Sequence, residues 1–249
     1  MKLQLPRTKF CGFTRVGDIQ AALELGVEAI GINFYPKSKR YIEPKRARSM
    51  LDELAKVTGL HNAKPQFIGV FVDYSPEQVL EVLRSCPLDA IQLHGEESTQ
   101  WVAAAEALPN WPGVPILRAL PYRGQQDDAL IQSWGALVAS ETSSVYGLLI
   151  DAYDPVHKGG TGKQVAWELL DPLPDCFRFD GGDVLGEAQV SVPFLLAGGL
   201  TPENVSRGMK IVRPTGVDVA SGIESEPGIK DVEKMKRFID AYRSCASDL

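Results

Sequence analysis

Reactive and polar side chains end several short apolar runs of the sequence. Cys11 closes the run that starts at Lys9, and His94 and Asp151 each close a later run. Lys9 and Cys11 share strand parity, so their side chains point the same way, and a nearby ammonium group favours the thiolate form of a cysteine. Cys11, His94 and Asp151 also have a structural interpretation, as buried or hydrogen-bonded groups of the core.

Three glycine-rich turns lie in the second half of the sequence, at 159–163, 197–200 and 220–222. Glycine lets the backbone approach a ligand closely and point consecutive N–H groups at it. Helix N-termini add partial positive charge, so phosphate is the ligand that these turns favour. Tight turns without a ligand are the alternative. The first turn is not a Walker motif, because His157 and Gln164 replace the required glycine and Ser/Thr.

A basic segment, 35–42, follows the second apolar run. It places Lys37, Lys39 and Arg40 within four positions of an acidic chain. It is either a solvated loop or a mobile lid in which the arginine pairs with a substrate carboxylate through a two-pronged contact.

Apolar runs alternate with amphipathic stretches along the chain, which predicts eight strand–helix units. Continuous apolar strands, each followed by a helix, are typical of a parallel sheet covered by helices. Eight units in about 250 residues match a closed (β/α)8 TIM barrel, in which ligands bind at the C-terminal ends of the strands. An open doubly wound sheet is the alternative, but its GxGxxG fingerprint is absent after the first run. The runs predicted as strands are 9–12, 29–34, 67–72, 90–94, 114–120, 146–151, 193–197 and 216–220.

Capping signals mark several of the predicted helices. Gly26 ends the first helix, predicted over 18–25. A capping residue followed by proline starts helices at Ser75 and Thr201. The last helix is predicted over 231–242.

Length and composition indicate one large globular domain. The chain has 249 residues, 44% hydrophobic and 23% charged, which excludes a disordered protein, and no segment reaches the roughly 18 apolar residues that span a bilayer. A net charge of −6 argues against a nucleic-acid binder. The four cysteines show no CxxC pair and no zinc spacing, which favours a reducing, cytoplasmic setting without a metal site. We expect a single domain over 1–249, with an insertion around 171–192.

Eight segments of the sequence form a recognisable combination. They are 9–14 (KFCGFT), 34–41 (FYPKSKRY), 69–72 (GVFV), 92–95 (QLHG), 149–151 (LID), 159–163 (GGTGK), 197–205 (AGGLTPENV) and 216–224 (GVDVASGIE). In this order they closely resemble the phosphoribosylanthranilate isomerase family, barrel enzymes of tryptophan biosynthesis. The resemblance extends from Lys9 to about Tyr242.

The resemblance implies an Amadori rearrangement, in which a phosphoribosyl anthranilate becomes a 1-deoxyribulose 5-phosphate derivative without a metal or a cofactor. Asp151 matches the family's general acid and Cys11 its general base, which calls for a raised carboxyl pKa and a lowered thiol pKa. Arg40 matches the residue that holds the anthranilate carboxylate. The other expected substrate contacts, most of them in the phosphate cradle, are His94, Gly162, Gly198, Gly199, Ser221 and Gly222.

Two other functions remain open at this stage. One is another phosphate-binding barrel enzyme, such as an indole-glycerol-phosphate synthase, which would rely on lysine and glutamate at the strand ends. The other is a non-catalytic phosphometabolite-binding barrel, which would not need Cys11 and Asp151. The sequence departs from the family pattern at Phe10, Ala197 and Ala220. It does not determine whether the protein is a monomer or a homodimer.

Overall fold

A computed structural model describes residues 3–57, 65–151, 167–180 and 189–246 of the chain. The strands are β1 Thr8–Cys11, β2 Ala29–Asn33, β3 Gln66–Phe71, β4 Ala90–Leu93, β5 Ile116–Pro121, β6 Val145–Asp151, β7 Arg178–Asp180, β8 Gln189–Ser191, β9 Phe194–Ala197, β10 Gly216–Val219, β11 Glu224–Glu226 and β12 Ile229–Lys230.

Eight of these strands form a closed parallel barrel in the described part of the chain, in the order β1-β10-β9-β6-β5-β4-β3-β2. All eight apolar runs of the sequence are barrel strands, so the predicted (β/α)8 TIM barrel is confirmed. The other four strands form two antiparallel pairs, β7–β8 and β11–β12. The first of these pairs lies inside the predicted insertion at 171–192, and the second follows the last barrel strand.

Helices surround the barrel. They are α1 Val16–Glu24, α2 Pro44–Val57, α3 Pro76–Ser85, α4 Gln100–Glu106, α5 Asp128–Ala139, α6 Val205–Val212 and α7 Val232–Ala246. Short 3-10 turns occupy Gln125–Asp127, Trp167–Leu170, Asp175–Phe177 and Ser221–Ile223. In the part of the chain that the structure describes, no helix has both the length and the apolar character needed to cross a bilayer.

Of the helix starts predicted at Ser75 and Thr201, the first is confirmed and the second is wrong. Ser75 caps α3 as expected, because its hydroxyl accepts a hydrogen bond from the backbone N–H of Gln78 while the Gln78 side chain accepts one from the N–H of Ser75. The predicted start at Thr201 is wrong, since α6 begins at Val205. Asn204 accepts a hydrogen bond from the Thr201 N–H, which holds 201–204 as a turn before the helix.

Two layers of apolar side chains result from strand alternation. The larger layer packs between the sheet and the helices and includes Ile30, Phe71 and Trp134. The smaller layer lies inside the barrel and includes Ala29 and Leu117. At the C-terminal ends of the strands, polar side chains face into the barrel. They lie above the inner apolar layer and line the cavity described next.

Candidate active site

A cavity of about 240 Å³ opens at the C-terminal ends of the barrel strands. It brings together seven of the nine residues predicted for the site. The residues that line it are Cys11, Asn33, Arg40, Val70, Gln92, His94, Asp151, Ala197, Gly198, Gly199, Leu200, Asp218, Val219, Ala220 and Ser221.

Cys11 is the last residue of β1 and has a buried side chain. Lys9 points to the same face of β1, as strand parity predicted, and its Nζ donates a hydrogen bond to Asp218 Oδ1 at 2.8 Å. Lys9 is directly opposite Asp218 in the pairing of β1 with β10. The base candidate therefore stands beside a buried ammonium–carboxylate pair that spans the closing seam of the barrel.

The ionisation of Cys11 departs from what we expected from the sequence. Burial raises the pKa of the Cys11 thiol, and this outweighs the attraction of Lys9 and Lys230, which acts to lower it. The expected lowering of the thiol pKa is therefore wrong in its net direction. Burial also acts to lower the pKa of Lys9, but Asp218 and Cys11 more than reverse this effect, so Lys9 stays charged.

Asp151 ends β6 and lines the same cavity as Cys11, although β9 and β10 separate the two strands in the ring. His94 follows β4, and its Nδ1 lies 2.8 Å from Gln92 Nε2. Burial lowers the pKa of His94 despite the nearby carboxylates of Asp151 and Asp218, so the ring is neutral at neutral pH. A neutral His94 ring whose Nδ1 accepts a hydrogen bond from the Gln92 amide carries its proton on Nε2.

Arg40 reaches the cavity from the loop between β2 and α2. Its Nε and Nη2 donate to the two carboxylate oxygens of Glu224, at 2.7 Å and 2.6 Å. Lys230 Nζ also donates to Glu224 Oε1, at 2.9 Å. Neither Glu224 nor Lys230 was predicted for the site. Glu224 ends the segment 216–224 that carries part of the family resemblance, whereas Lys230 lies beyond it in a stretch without a pattern.

The glycine-rich turns after β9 and β10 meet at one side of the cavity. Gly198, Gly199 and Ser221 line it, and Gly222 packs behind them, where a Cβ atom would overlap the carbonyl oxygen of Leu200. The first glycine-rich turn, including Gly162, lies outside the described residues. The phosphate contacts of all five residues stay predictions.

Asp218 and Gln92 are cavity residues that the sequence analysis did not predict for the site. Both are polar residues within apolar strands, and both are buried. For Asp218 a signal was available: a closed barrel must pair its first and last strands, and each of these contains one charged residue, Lys9 and Asp218. Among the described residues, His, Cys, Asp and Glu side chains form no group of three that could hold a metal ion.

Comparisons with known proteins agree with this geometry. A family model described as N-(5'-phosphoribosyl)anthranilate (PRA) isomerase matches residues 8–241. The N-(5'-phosphoribosyl)anthranilate isomerase of Myxococcus xanthus is 39% identical over 241 residues, 96% of either chain. Each of these matches spans nearly the whole barrel rather than one motif.

Solved structures give the same result. The phosphoribosyl anthranilate isomerase of Thermotoga maritima superposes with a TM-score of 0.74 at 34% identity, covering 96% of this chain and all of the other. A phosphoribosyl anthranilate isomerase in complex with reduced 1-(o-carboxyphenylamino)-1-deoxyribulose 5-phosphate superposes with a TM-score of 0.72 at 31% identity, with the same coverage. The chain therefore belongs to the N-(5'-phosphoribosyl)anthranilate isomerase family, the aldose–ketose isomerases of tryptophan biosynthesis.

Proposed function

We propose that the chain converts N-(5'-phosphoribosyl)anthranilate into 1-(2-carboxyphenylamino)-1-deoxyribulose 5-phosphate, with Asp151 as general acid and Cys11 as general base. The observation that carries these roles is the position of both residues. They end two strands that are not neighbours in the ring, yet they line one cavity of about 240 Å³. A substrate bound there reaches an acid and a base at the same time.

The reaction proceeds in three steps, the last of which adds a proton to C1 and removes one from the C2 hydroxyl. Asp151 donates a proton to the ring oxygen of the furanose, and the C1–O bond breaks, which leaves a protonated Schiff base. The Cys11 thiolate then removes the proton from C2, and the C2–H electrons neutralise the iminium nitrogen to give an enolamine. Tautomerisation of the enolamine to the ketone completes the exchange of oxidation state between C1 and C2, so no external oxidant or reductant is consumed.

The charges around Cys11 support its role as a base. Lys9 and Lys230 both act to lower the thiol pKa, and they oppose the effect of burial. A thiolate formed in this setting is desolvated, and removal of its hydration shell makes it a stronger base towards a carbon acid. The buried ammonium groups therefore offset part of the cost of forming the thiolate without surrounding it with water.

The remaining cavity residues bind the two anionic ends of the substrate in this proposal. Arg40 holds the anthranilate carboxylate, and the turns with Gly198, Gly199, Ser221 and Gly222 hold the phosphate through backbone N–H groups. His94 contacts the sugar through Nε2–H. All four cysteines are free thiols, which supports a reducing compartment such as the cytoplasm.

The fading of phosphoribosylanthranilate fluorescence on addition of the purified protein tests the roles of the acid and the base. We expect Cys11→Ala and Asp151→Asn each to lower kcat by at least about 100-fold, the usual contribution of a positioned acid or base. Circular dichroism and binding of a reduced product analogue test whether both variants stay folded.

Two matched variants serve as controls. Cys86→Ala removes a buried thiol that does not line the cavity, and Asp52→Asn removes an exposed carboxylate on α2. Both are expected to turn over at nearly the wild-type rate. Near-normal turnover by Cys11→Ala or Asp151→Asn would reject the assigned role of that residue.

A further inference from the structure

Glu224 is buried, and four hydrogen bonds from groups of the chain hold its carboxylate. Oε1 accepts hydrogen bonds from Arg40 Nε, Lys230 Nζ and the Gly228 N–H, and Oε2 accepts one from Arg40 Nη2. Burial acts to raise the pKa of Glu224, but the hydrogen bonds from Arg40 and Lys230 lower it overall. Glu224 is therefore an ionised acceptor whose two oxygens are both held by groups of the chain, and it is not a proton donor.

Lys230 anchors this carboxylate to the barrel. Its three N–H groups have three acceptors: Glu224 Oε1 at 2.9 Å, the Cys11 carbonyl at 2.6 Å and the Ala220 carbonyl at 3.0 Å. These carbonyls lie at the ends of β1 and β10. Lys230 thus fixes the position of Glu224 relative to the end of β1, which carries the proposed base Cys11.

Arg40 is held in one orientation by these contacts. Glu224 takes Nε–H and one Nη2–H, and the arginine stem lies against Gly12, where a Cβ atom would clash with Arg40 Cδ. A guanidinium group has five N–H donors, so a second planar fork remains, formed by Nη1 and the other Nη2 hydrogen. No described residue accepts a hydrogen bond from this second fork, and Arg40 lines the cavity.

Charge explains why a lysine accompanies the glutamate. An Arg40–Glu224 pair alone is neutral and gives little attraction to an anion. With Lys230 the cluster carries a net charge of about +1, so the fork of Arg40 stays attractive to a carboxylate.

We infer that Glu224 is a positioning residue which, held by Lys230, orients Arg40 so that its second fork binds the carboxylate of the substrate. The β11–β12 hairpin thereby sets the preference for a substrate with an ortho carboxylate on its aromatic ring. This inference rests on the proposed role of Arg40 as the carboxylate ligand.

Two substrates separate this role from a general structural one. One is N-(5'-phosphoribosyl)anthranilate, and the other is the phosphoribosyl adduct of aniline, which lacks the carboxylate. Both are followed by NMR, so that the assay does not depend on fluorescence. For the anthranilate substrate, we expect Glu224→Gln to raise KM about tenfold, the effect of one lost charge-assisted hydrogen bond, with little change in kcat. For the aniline adduct, we expect the variant to match the wild type.

Further variants complete the test. Arg40→Ala should raise KM for the anthranilate substrate at least as much as Glu224→Gln, and the double variant should be no worse than Arg40→Ala, because Glu224 acts through Arg40. Glu226→Ala, an exposed carboxylate on the same strand, is the control and should leave both substrates unaffected.

The outcomes distinguish two failures. If Arg40→Ala raises KM for the anthranilate substrate but Glu224→Gln does not, Arg40 binds the carboxylate without help and the inference is overturned. Additive effects in the double variant, or equal losses on both substrates, would also overturn it. If Arg40→Ala leaves KM unchanged, the proposed carboxylate role of Arg40 fails, and the inference fails with it.

Discussion

Burial and the neighbouring charges shift the pKa of the Cys11 thiol in opposite directions. Burial in the barrel raises its pKa, Lys9 and Lys230 lower it, and Asp218 raises it again. Asp218 thus has two effects, because it pairs with Lys9 and also places a negative charge near the thiol. Its charge offsets part of the stabilisation that Lys9 gives to the thiolate.

A substitution at Asp218 tests this balance of charges. Asp218→Asn keeps a side chain that can accept from Lys9 but removes the negative charge, so the thiol pKa should fall. A base must be deprotonated, so kcat/KM of the wild type should still rise as the pH passes the ordinary thiol value of 9.0. In the variant this rise should begin at lower pH.

The rate of alkylation of Cys11 by iodoacetamide, measured across pH by peptide mass spectrometry, reports the same pKa without substrate. Asp240→Asn, which changes an exposed carboxylate on α7, is the control and should leave the profile unchanged. A profile of Asp218→Asn that coincides with the wild type would show that the Asp218 charge does not act on the thiol. A profile that moves to higher pH would show that Asp218 acts mainly by keeping Lys9 charged, and would overturn the prediction.

Among the elements, the barrel strands were predictable because each is a continuous apolar run. Such runs result from burial on both faces, and all eight fall within a few residues of their predicted limits. The start of α6 was not predictable in this way, since Thr201 and Asn204 are both residue types that cap helices. Asn204 occupies the N-cap position, and its side chain accepts from the Thr201 N–H rather than from the helix. The last helix continues to Ala246, beyond its predicted end at 242.

The hairpin β11–β12 shows why part of the site was not predictable. Its strands have three and two residues, too short for any periodicity. Lys230 resembles an ordinary surface charge in the sequence, and Glu224 ends a recognisable segment that does not show what its side chain contacts. Their burial follows from long-range contacts, such as the one between Lys230 and the Cys11 carbonyl across 219 positions.

The two late glycine turns act as one element, because Gly222 packs directly on the carbonyl of Leu200. Gly222→Ala forces these turns apart, since the obstructing atom belongs to the backbone. Backbone N–H groups should then miss the phosphate, and KM should rise at least about tenfold while the barrel remains folded. Steady-state kinetics and the affinity for inorganic phosphate as a competitive inhibitor measure this effect.

Gly17→Ala is the matched control, because nothing lies within 4 Å of the added Cβ in α1. We expect unchanged KM and a gain in the free energy of unfolding of up to about 1 kcal/mol. An unchanged KM in Gly222→Ala would show that the close packing of the two turns does not matter for phosphate binding.

On the scale of the whole molecule, the barrel closes where its first and last strands meet. Lys9 and Asp218 are 209 positions apart, and their ion pair lies in the interior of this seam. A buried ion pair is weak evidence for stability, since the cost of desolvating two charges offsets much of their attraction. We therefore expect the pair to matter more for the proposed role of Cys11 than for the closure of the barrel, to which the pairing of β1 with β10 contributes directly.

A double-mutant cycle tests whether the seam depends on these charges. Lys9→Met and Asp218→Leu each leave one buried charge without its partner, so each should lower the free energy of unfolding by about 3–5 kcal/mol. The double variant replaces the pair with apolar groups of similar total volume and should unfold, in urea, close to the wild type. Its turnover should nevertheless be strongly reduced, because Cys11 has lost the ammonium group beside it. If the double variant is instead as unstable as either single variant, the ion pair itself holds the first and last strands together, and the seam is electrostatic rather than a product of strand pairing.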